Sequence, residues 1–378
     1  MIMKTTLYFA TNRKHEGANQ WNPTGYGKDF SNDGHYNLRF GELSFDVDEL
    51  EVNNHLTKTF KSGRKGDGEE LSKYLAETAK GADISSYEDV TATTTSEIKF
   101  EKNSSTLFFK RLKKDMENNS DALIYIHGYN VSWNEAVGGA LALQYMLNRN
   151  RKEGGKKITV VLFSWPSDGS MMPYAAYKSD RSDARDSAQA ISRGVLKLRD
   201  FLTQLKINSS DESMKPCGYN IHLLAHSMGN YVLQNALSKI IGYSNGNRMP
   251  RIFENIFLCA GDVDDNCLEE NQKMGKLPEL CNHISVYHNK GDIAMYISDY
   301  TKGNAQRLGN TGAARPQLIH NKIHQINCSD IVKGFTEHSY YLWATVNDDI
   351  SMTLNDVAVD SSQRKRKQLA NSREWLLL

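Results

Sequence analysis

The 378-residue chain carries 46 basic and 45 acidic side chains, a formal net charge of +1, so no global field steers it toward nucleic acid or an anionic membrane surface, and a small ligand fits better. No apolar run approaches the roughly 20 residues that span a bilayer, and the opening MIMKTTLYFATNRK is too interrupted by threonine for a signal-peptide core, so a soluble, cytoplasmic protein is expected. Cys217, Cys259, Cys267, Cys281 and Cys328 are scattered and form no C-x-x-C pair; this spacing argues against a disulfide framework or a zinc site and for buried thiols.

Residues 1–118 read as an N-terminal elaboration of edge strands and loops packed on the main domain. EGANQWNPTGYGKDFSNDGHYN (16–37) has no sustained period, LRFGELSFDVDEL (38–50) alternates as a strand does, and SGRKGDGEE (62–70) and DVTATTTSEI (89–98) read as exposed connections. A core over 119–350 follows, in which short apolar runs alternate with helical patterns. ALIYIHG (122–128), ITVVLFSW (158–165), NIHLLAH (220–226), ENIFLCAG (254–261) and HISVYHN (283–289) are the near-continuous runs of strands covered on both faces. LIHNKIHQINC (318–328) is a more polar final strand. Ile191, Val195, Leu198, Leu202 and Leu205 recur at helical steps, as do Leu233, Leu237, Ile240 and Ile241. The alternation predicts an α/β fold, a mostly parallel sheet with helices on both faces. YKSDRSDARDSAQ (177–189) reads as a solvated helix face whose start could join a cap, and the Gly-rich YTKGNAQRLGNTGAA (300–314) as a mobile rim. Residues 351–378, a basic run followed by Trp375 and three leucines, read as a C-terminal helix or tail, solvated and frayed with a docking tip.

Two stretches stand out chemically. In NIHLLAHSMGN (220–230) a strand ends at Ala225 and a helix starts near Met228, which leaves a tight turn with Ser227 at its apex between Ala225 and Gly229. Such an A-x-S-x-G turn holds the serine in a strained conformation with its Oγ projecting. The helix opening there aims the N–H of Met228 at the place where an oxyanion would form. An ordinary Ser N-cap is the alternative reading. YIHGYN (125–130) also ends a buried strand, and Ser132 and Glu135 have capping-box spacing for the next helix. His127 and Gly128 then turn the chain with amides on the same sheet edge, which makes Tyr129 N–H the candidate second oxyanion donor and His127 a residue that fixes the turn.

HGYN, FSWPSDG, LLAHSMGN, YHNKGD and EHSYY, in this order over roughly 121–345, resemble the α/β-hydrolase superfamily, in particular a bacterial branch described only as hydrolases of unknown function. LYFATNRK and RFGELSF resemble that branch's N-terminal segment. The resemblance implies an α/β-hydrolase fold and a serine hydrolase with the chain order Ser, acid, His. On it, Ser227 is the nucleophile and His338 in FTEHSYY the base, with His324 inside IHQIN the competitor. Asp292 in NKGD is the acid, and Asp262 in CAGDVDD is the alternative acid. His226 is expected to point away from the pocket. Trp165, Ser167 and Asp168 fall on the active-site edge, where Trp165 either shapes the pocket or packs beneath it. The implied activity is cleavage of a carboxylester, lipid ester or thioester through an acyl-enzyme, with no cofactor, no metal and no nucleic-acid partner. A peptidase or amidase, and a non-catalytic binding or signalling module on the same scaffold, are the alternatives.

Overall fold

The computed structural model describes residues 1–59, 65–87, 104–167, 173–207, 218–244, 248–292, 306–333, 337–369 and 373–378. The connection at 89–98, Asp168, Cys217 and the start of the Gly-rich rim (300–305) lie outside the described residues. The N-terminal elements are β1 (Ile2–Thr11), β2 (Arg13–Glu16), β3 (Gly25–Phe30), β4 (Arg39–Asp48), α1 (Glu49–Thr57), α2 (Gly68–Thr78), β5 (Asp83–Ser86) and α3 (Ser104–Met116). Then come β6 (Ser120–Ile126), α4 (Trp133–Asn148), β7 (Lys157–Ser164), α5 (Pro173–Ile207), β8 (Ile221–His226), α6 (Gly229–Tyr243), β9 (Phe253–Cys259) and β10 (Cys281–His288). The chain closes with α7 (Leu308–Thr311), β11 (Ile323–Asn327), α8 (Ala344–Leu354), β12 (Arg366–Gln368) and β13 (Glu374–Leu377). Among the described residues no helix is long and apolar enough to cross a membrane.

An 11-stranded sheet runs in the order β12-β13-β11-β10-β9-β8-β6-β7-β1-β4-β5, and β2 pairs with β3 in a separate hairpin. The strands from β13 through β1 are parallel to their neighbours, with β4, β5 and β12 antiparallel at the edges. Successive side chains of a strand point to opposite faces, and here both faces are core. Leu123, Leu224, Phe257 and Tyr287 join one cluster with α2, α4 and α8; Ala122, Leu223, Ala225, Ile256 and Val286 join the other with α3, α5 and α6. Each such leucine or isoleucine contributes about 1.5–3 kcal/mol relative to an exposed one. The near-continuous apolar runs are therefore what a doubly covered sheet demands.

Both termini depart from expectation. β1 is not an edge strand: it lies between β7 and β4, parallel to β7 with Thr11 opposite Ser164. The segment 351–378 is not a frayed terminal tail: its first residues finish α8, and it then returns to the sheet as β12 and β13, so β11 is not the last strand. The basic run has an internal partner. The buried carboxylate of Asp349 on α8 accepts from Tyr287 Oη at 2.7 Å, Arg364 Nη1 at 3.5 Å and Arg366 Nε at 2.7 Å. Trp375 and Leu377 of β13 are buried as well.

The strand order positions the site. From β6 the chain crosses to β7 on one side, whereas β8 pairs with β6 on the other. The carboxyl ends of β6 and β8 thus flank a switch point, where crossovers diverge and leave a crevice.

Candidate active site

Ser227 follows β8 directly at that switch point, with φ of +52°. This left-handed backbone costs a non-glycine residue roughly 1–2 kcal/mol, so the surroundings must impose it. They do: Ser227 N–H donates to Cys259 O at 3.0 Å, and Ser227 O accepts from the amides of Asn230 at 3.0 Å and Asp262 at 3.1 Å. Asn230 Nδ2 adds bonds to the carbonyls of Ala225, Ser227 and Cys259 at 2.9, 3.1 and 3.3 Å. A Cβ on Gly229 would stand 2.6 Å from Ile126 O and 2.7 Å from His127 O, so only glycine lets α6 leave across the end of β6. Ala225, two residues before the serine, is fully buried, and its methyl packs in the α5/α6-side core. Met228 precedes the first residue of α6, where N–H groups have no partner within the helix.

The turn after β6 approaches the serine closely. A Cβ on Gly128 would lie 2.8 Å from Ser227 Cβ and 3.2 Å from His226 Nδ1. His127 is fully buried; its Nε2 accepts from Trp165 N–H at 3.2 Å, so Nδ1 carries the proton and donates to Gly128 O at 2.9 Å. Burial, and then the nearby Arg13 charge, lower the His127 pKa to about 3, which keeps the ring neutral. Trp165 packs beneath the turn: it is fully buried, donates Nε1–H to His127 O at 3.0 Å and stacks on the His127 ring. Beyond Gly128, Asn130 has φ of +57° and donates its N–H to Asp180 Oδ2 at 3.0 Å, and Val131 N–H donates to Ser167 Oγ at 3.2 Å. The capping box of Ser132 and Glu135 is formed and starts α4.

Asp180 corrects the reading of 177–189 as a solvated face, since it, Ala184, Ser187 and Ala188 are fully buried. A helix laid against a sheet buries every third or fourth side chain, charged or not. Here the charged one grips the Asn130 amide and the Ser167 hydroxyl.

Asp292 and His338 come together from the carboxyl ends of β10 and β11. His338 Nδ1 lies 2.7 Å from Asp292 Oδ2; a carboxylate only accepts, so Nδ1–H donates. Asp292 is 1% exposed and the His338 side chain 21%. Asp292 sits on an Asn289 turn, with Asp292 N–H on Asn289 O at 3.2 Å and Gly291 N–H on Asn289 Oδ1 at 3.0 Å. Behind His338, Tyr340 Oη donates to Tyr287 O at 3.0 Å and Tyr341 Oη shares a 2.6 Å bond with Tyr125 Oη.

Asp262 is engaged elsewhere. Its carboxylate accepts from Tyr177 Oη at 2.7 Å and lies 3.7 Å from Arg181 Nη1 and 3.6 Å from Arg307 Nε. His324 is held within β11, stacked on His283 and accepting from Trp375 Nε1 at 3.4 Å. His226 Nε2–H donates to the His338 carbonyl at 3.1 Å, and its ring packs on His338 and Tyr341. Burial and then the neighbouring His338 hold the His226 pKa well below the usual imidazole value. Among the described residues no group of three or more His, Cys, Asp or Glu is placed to hold a metal ion.

Sequence reasoning passed over Asn230, Asp180 and Arg13. The first stood in the quoted elbow, where an asparagine in the opening helical turn is a visible signal for capping of loop carbonyls. The other two carry no local signal. Arg13 is 1% exposed and donates Nε–H to Ser164 Oγ at 2.8 Å, Nη1–H to Gly27 O at 3.1 Å and Nη2–H to Val131 O at 2.7 Å.

No curated protein and no solved structure matches the chain. A family model does: that of the alpha/beta hydrolases of unknown function (DUF900) matches residues 100–346, more than half of the chain. That span covers the strands from β6 to β11 with every motif from HGYN to EHSYY, and the chain is a member of this α/β-hydrolase family.

Proposed function

We propose that this protein is a serine hydrolase that cleaves an acyl ester through an acyl-enzyme. Ser227 Oγ attacks the acyl carbonyl, His338 takes the proton and later returns it to the leaving group, and Asp292 orients the imidazole and stabilises its cation. The amides of Met228 and Tyr129 receive the oxyanion, and water then releases the acid. The observation that carries this reading is the 2.7 Å bond between His338 Nδ1 and the buried Asp292, together with a serine held at φ +52° where a strand meets a helix. With the proton on Nδ1, a neutral imidazole keeps Nε2 as the proton acceptor. A fluorophosphonate probe tests the reading: the wild type is labelled and Ser227→Ala is not. Labelling that survives in Ser227→Ala, or is absent from the wild type, refutes it.

A further inference from the structure

The family match begins at residue 100, yet the N-terminal segment reaches the candidate site. β1 runs parallel to β7 with Thr11 opposite Ser164, so the next residues pass over the carboxyl edge of the sheet. Thr11 Oγ1 donates to Ser164 O at 2.8 Å and accepts from Arg13 N–H at 3.1 Å, which turns the Arg13 side chain back across that edge. Its guanidinium ends on Ser164 Oγ, Gly27 O and Val131 O. The last of these belongs to the turn that carries Gly128 and Tyr129.

Two features separate this arginine from an ordinary buried ion pair. Among the described residues no carboxylate lies within 4.0 Å of its guanidinium, and Asp180 and Glu135 act on it only at longer range. A buried cation whose hydrogen-bond partners are neutral leaves a net positive potential around it, poorly screened in a low-dielectric interior. The turn, moreover, is clamped from two sides. Asp180 and Ser167 take the amides of Asn130 and Val131, while Arg13 takes the Val131 carbonyl. Without Arg13 the Val131 carbonyl, one residue beyond the left-handed Asn130, loses its restraint in the turn that also carries the Tyr129 amide.

We infer that Arg13 is a positioning residue of the oxyanion turn: its guanidinium fixes the Val131 peptide and sets a permanent positive charge beside the amides that receive the developing oxyanion. The N-terminal strand thereby completes the site that the family core begins. The inference rests on the serine-hydrolase reading above.

The test compares Arg13→Met and Arg13→Lys with wild type on a short p-nitrophenyl ester, each preparation titrated with a fluorophosphonate so that kcat is expressed per reactive serine. A merely structural arginine lowers the titre and the melting temperature but leaves kcat per titrated site unchanged. Oxyanion positioning lowers kcat per site by about 10- to 100-fold in Arg13→Met, with KM within about threefold, because the contact matters in the transition state and not in substrate binding. Arg13→Lys keeps the charge and is expected to fall between the two; it also serves if Arg13→Met does not fold. Affinity for an arylboronic acid, which forms a tetrahedral adduct, should drop in step with kcat. Unchanged kcat per site and unchanged boronate affinity in the folded variants overturn the inference. A wild type that the fluorophosphonate does not label overturns the hydrolase reading instead.

Discussion

Exchanging Asp292 or Asp262 for asparagine separates the two acids by the quantity each variant loses. Asp292→Asn keeps shape and volume but turns the acceptor facing His338 Nδ1, now at 2.7 Å, into an amide that can present N–H. When it does, the imidazole proton moves to Nε2 and the ring can no longer take a proton from Ser227. In serine hydrolases built on a Ser-His-Asp triad the same change costs up to about 10⁴ in kcat, so we expect a loss of about 10²–10⁴, or about 3–5 kcal/mol of transition-state stabilisation. Stability should change by about 1 kcal/mol, since one neutral hydrogen bond can still form. Asp262→Asn should do the reverse. Its carboxylate accepts from Tyr177 Oη and faces Arg181 and Arg307 at 3.7 and 3.6 Å, and Arg307 retains Asp264. Removing that buried charge, which faces the buried Arg307 and the partly exposed Arg181, should cost about 2–3 kcal/mol of folding free energy while kcat stays within about tenfold. The assay is kcat and KM on a short p-nitrophenyl ester, with the urea midpoint followed by circular dichroism. The reasoning fails if Asp262→Asn loses a hundredfold or more in kcat while Asp292→Asn keeps its activity.

Gly128→Ala should leave the protein folded but poorly active: the new methyl meets Ser227 Cβ at 2.8 Å, and relieving that overlap displaces Ser227, the proposed nucleophile, for a stability cost of about 1–3 kcal/mol and a kcat loss of about 10²-fold; kcat within threefold of wild type at an unchanged urea midpoint contradicts the close approach. The buried histidines predict acid lability. His127 and His288, with pKa values lowered by burial to about 3 and about 4, and His226, lowered well below its usual value, stay neutral in the folded state. The unfolded chain therefore binds more protons once pH falls below about 6.5, and stability drops with pH. Each histidine contributes about 1 kcal/mol of loss between pH 6.5 and 5.5, about 3 kcal/mol for the three, measurable as a falling urea midpoint; a midpoint that is flat or rises over that interval refutes the assignment.

Much of the local geometry at the candidate site was legible because its signals are local. The strand-to-helix junction with serine between small residues carries a left-handed backbone at Ser227, and Gly229 had to be small because α6 crosses Ile126 O at contact distance. Ser132 and Glu135 close a capping box within four residues. The choice of Asp292 and His338 rested on resemblance and chain order, whereas their hydrogen bond joins elements 46 residues apart. The bond of His226 was not legible for the same reason: its partner, the His338 carbonyl, is 112 residues distant.

The termini mark the boundary most clearly. By itself the sequence determined the doubly covered parallel sheet, since a strand buried on both faces must be apolar at every position, and it determined the turn at Ser227, since backbone strain is written in neighbouring residues. Only the tertiary structure decided that QRKRK supplies Arg364 and Arg366 to Asp349, that Asp180 faces inward, and that Arg13 reaches the turn at Val131 across 118 residues of chain. A buried charge is stable only beside its partner, and where the partner comes from a distant element, no local pattern distinguishes that charge from one that points into water.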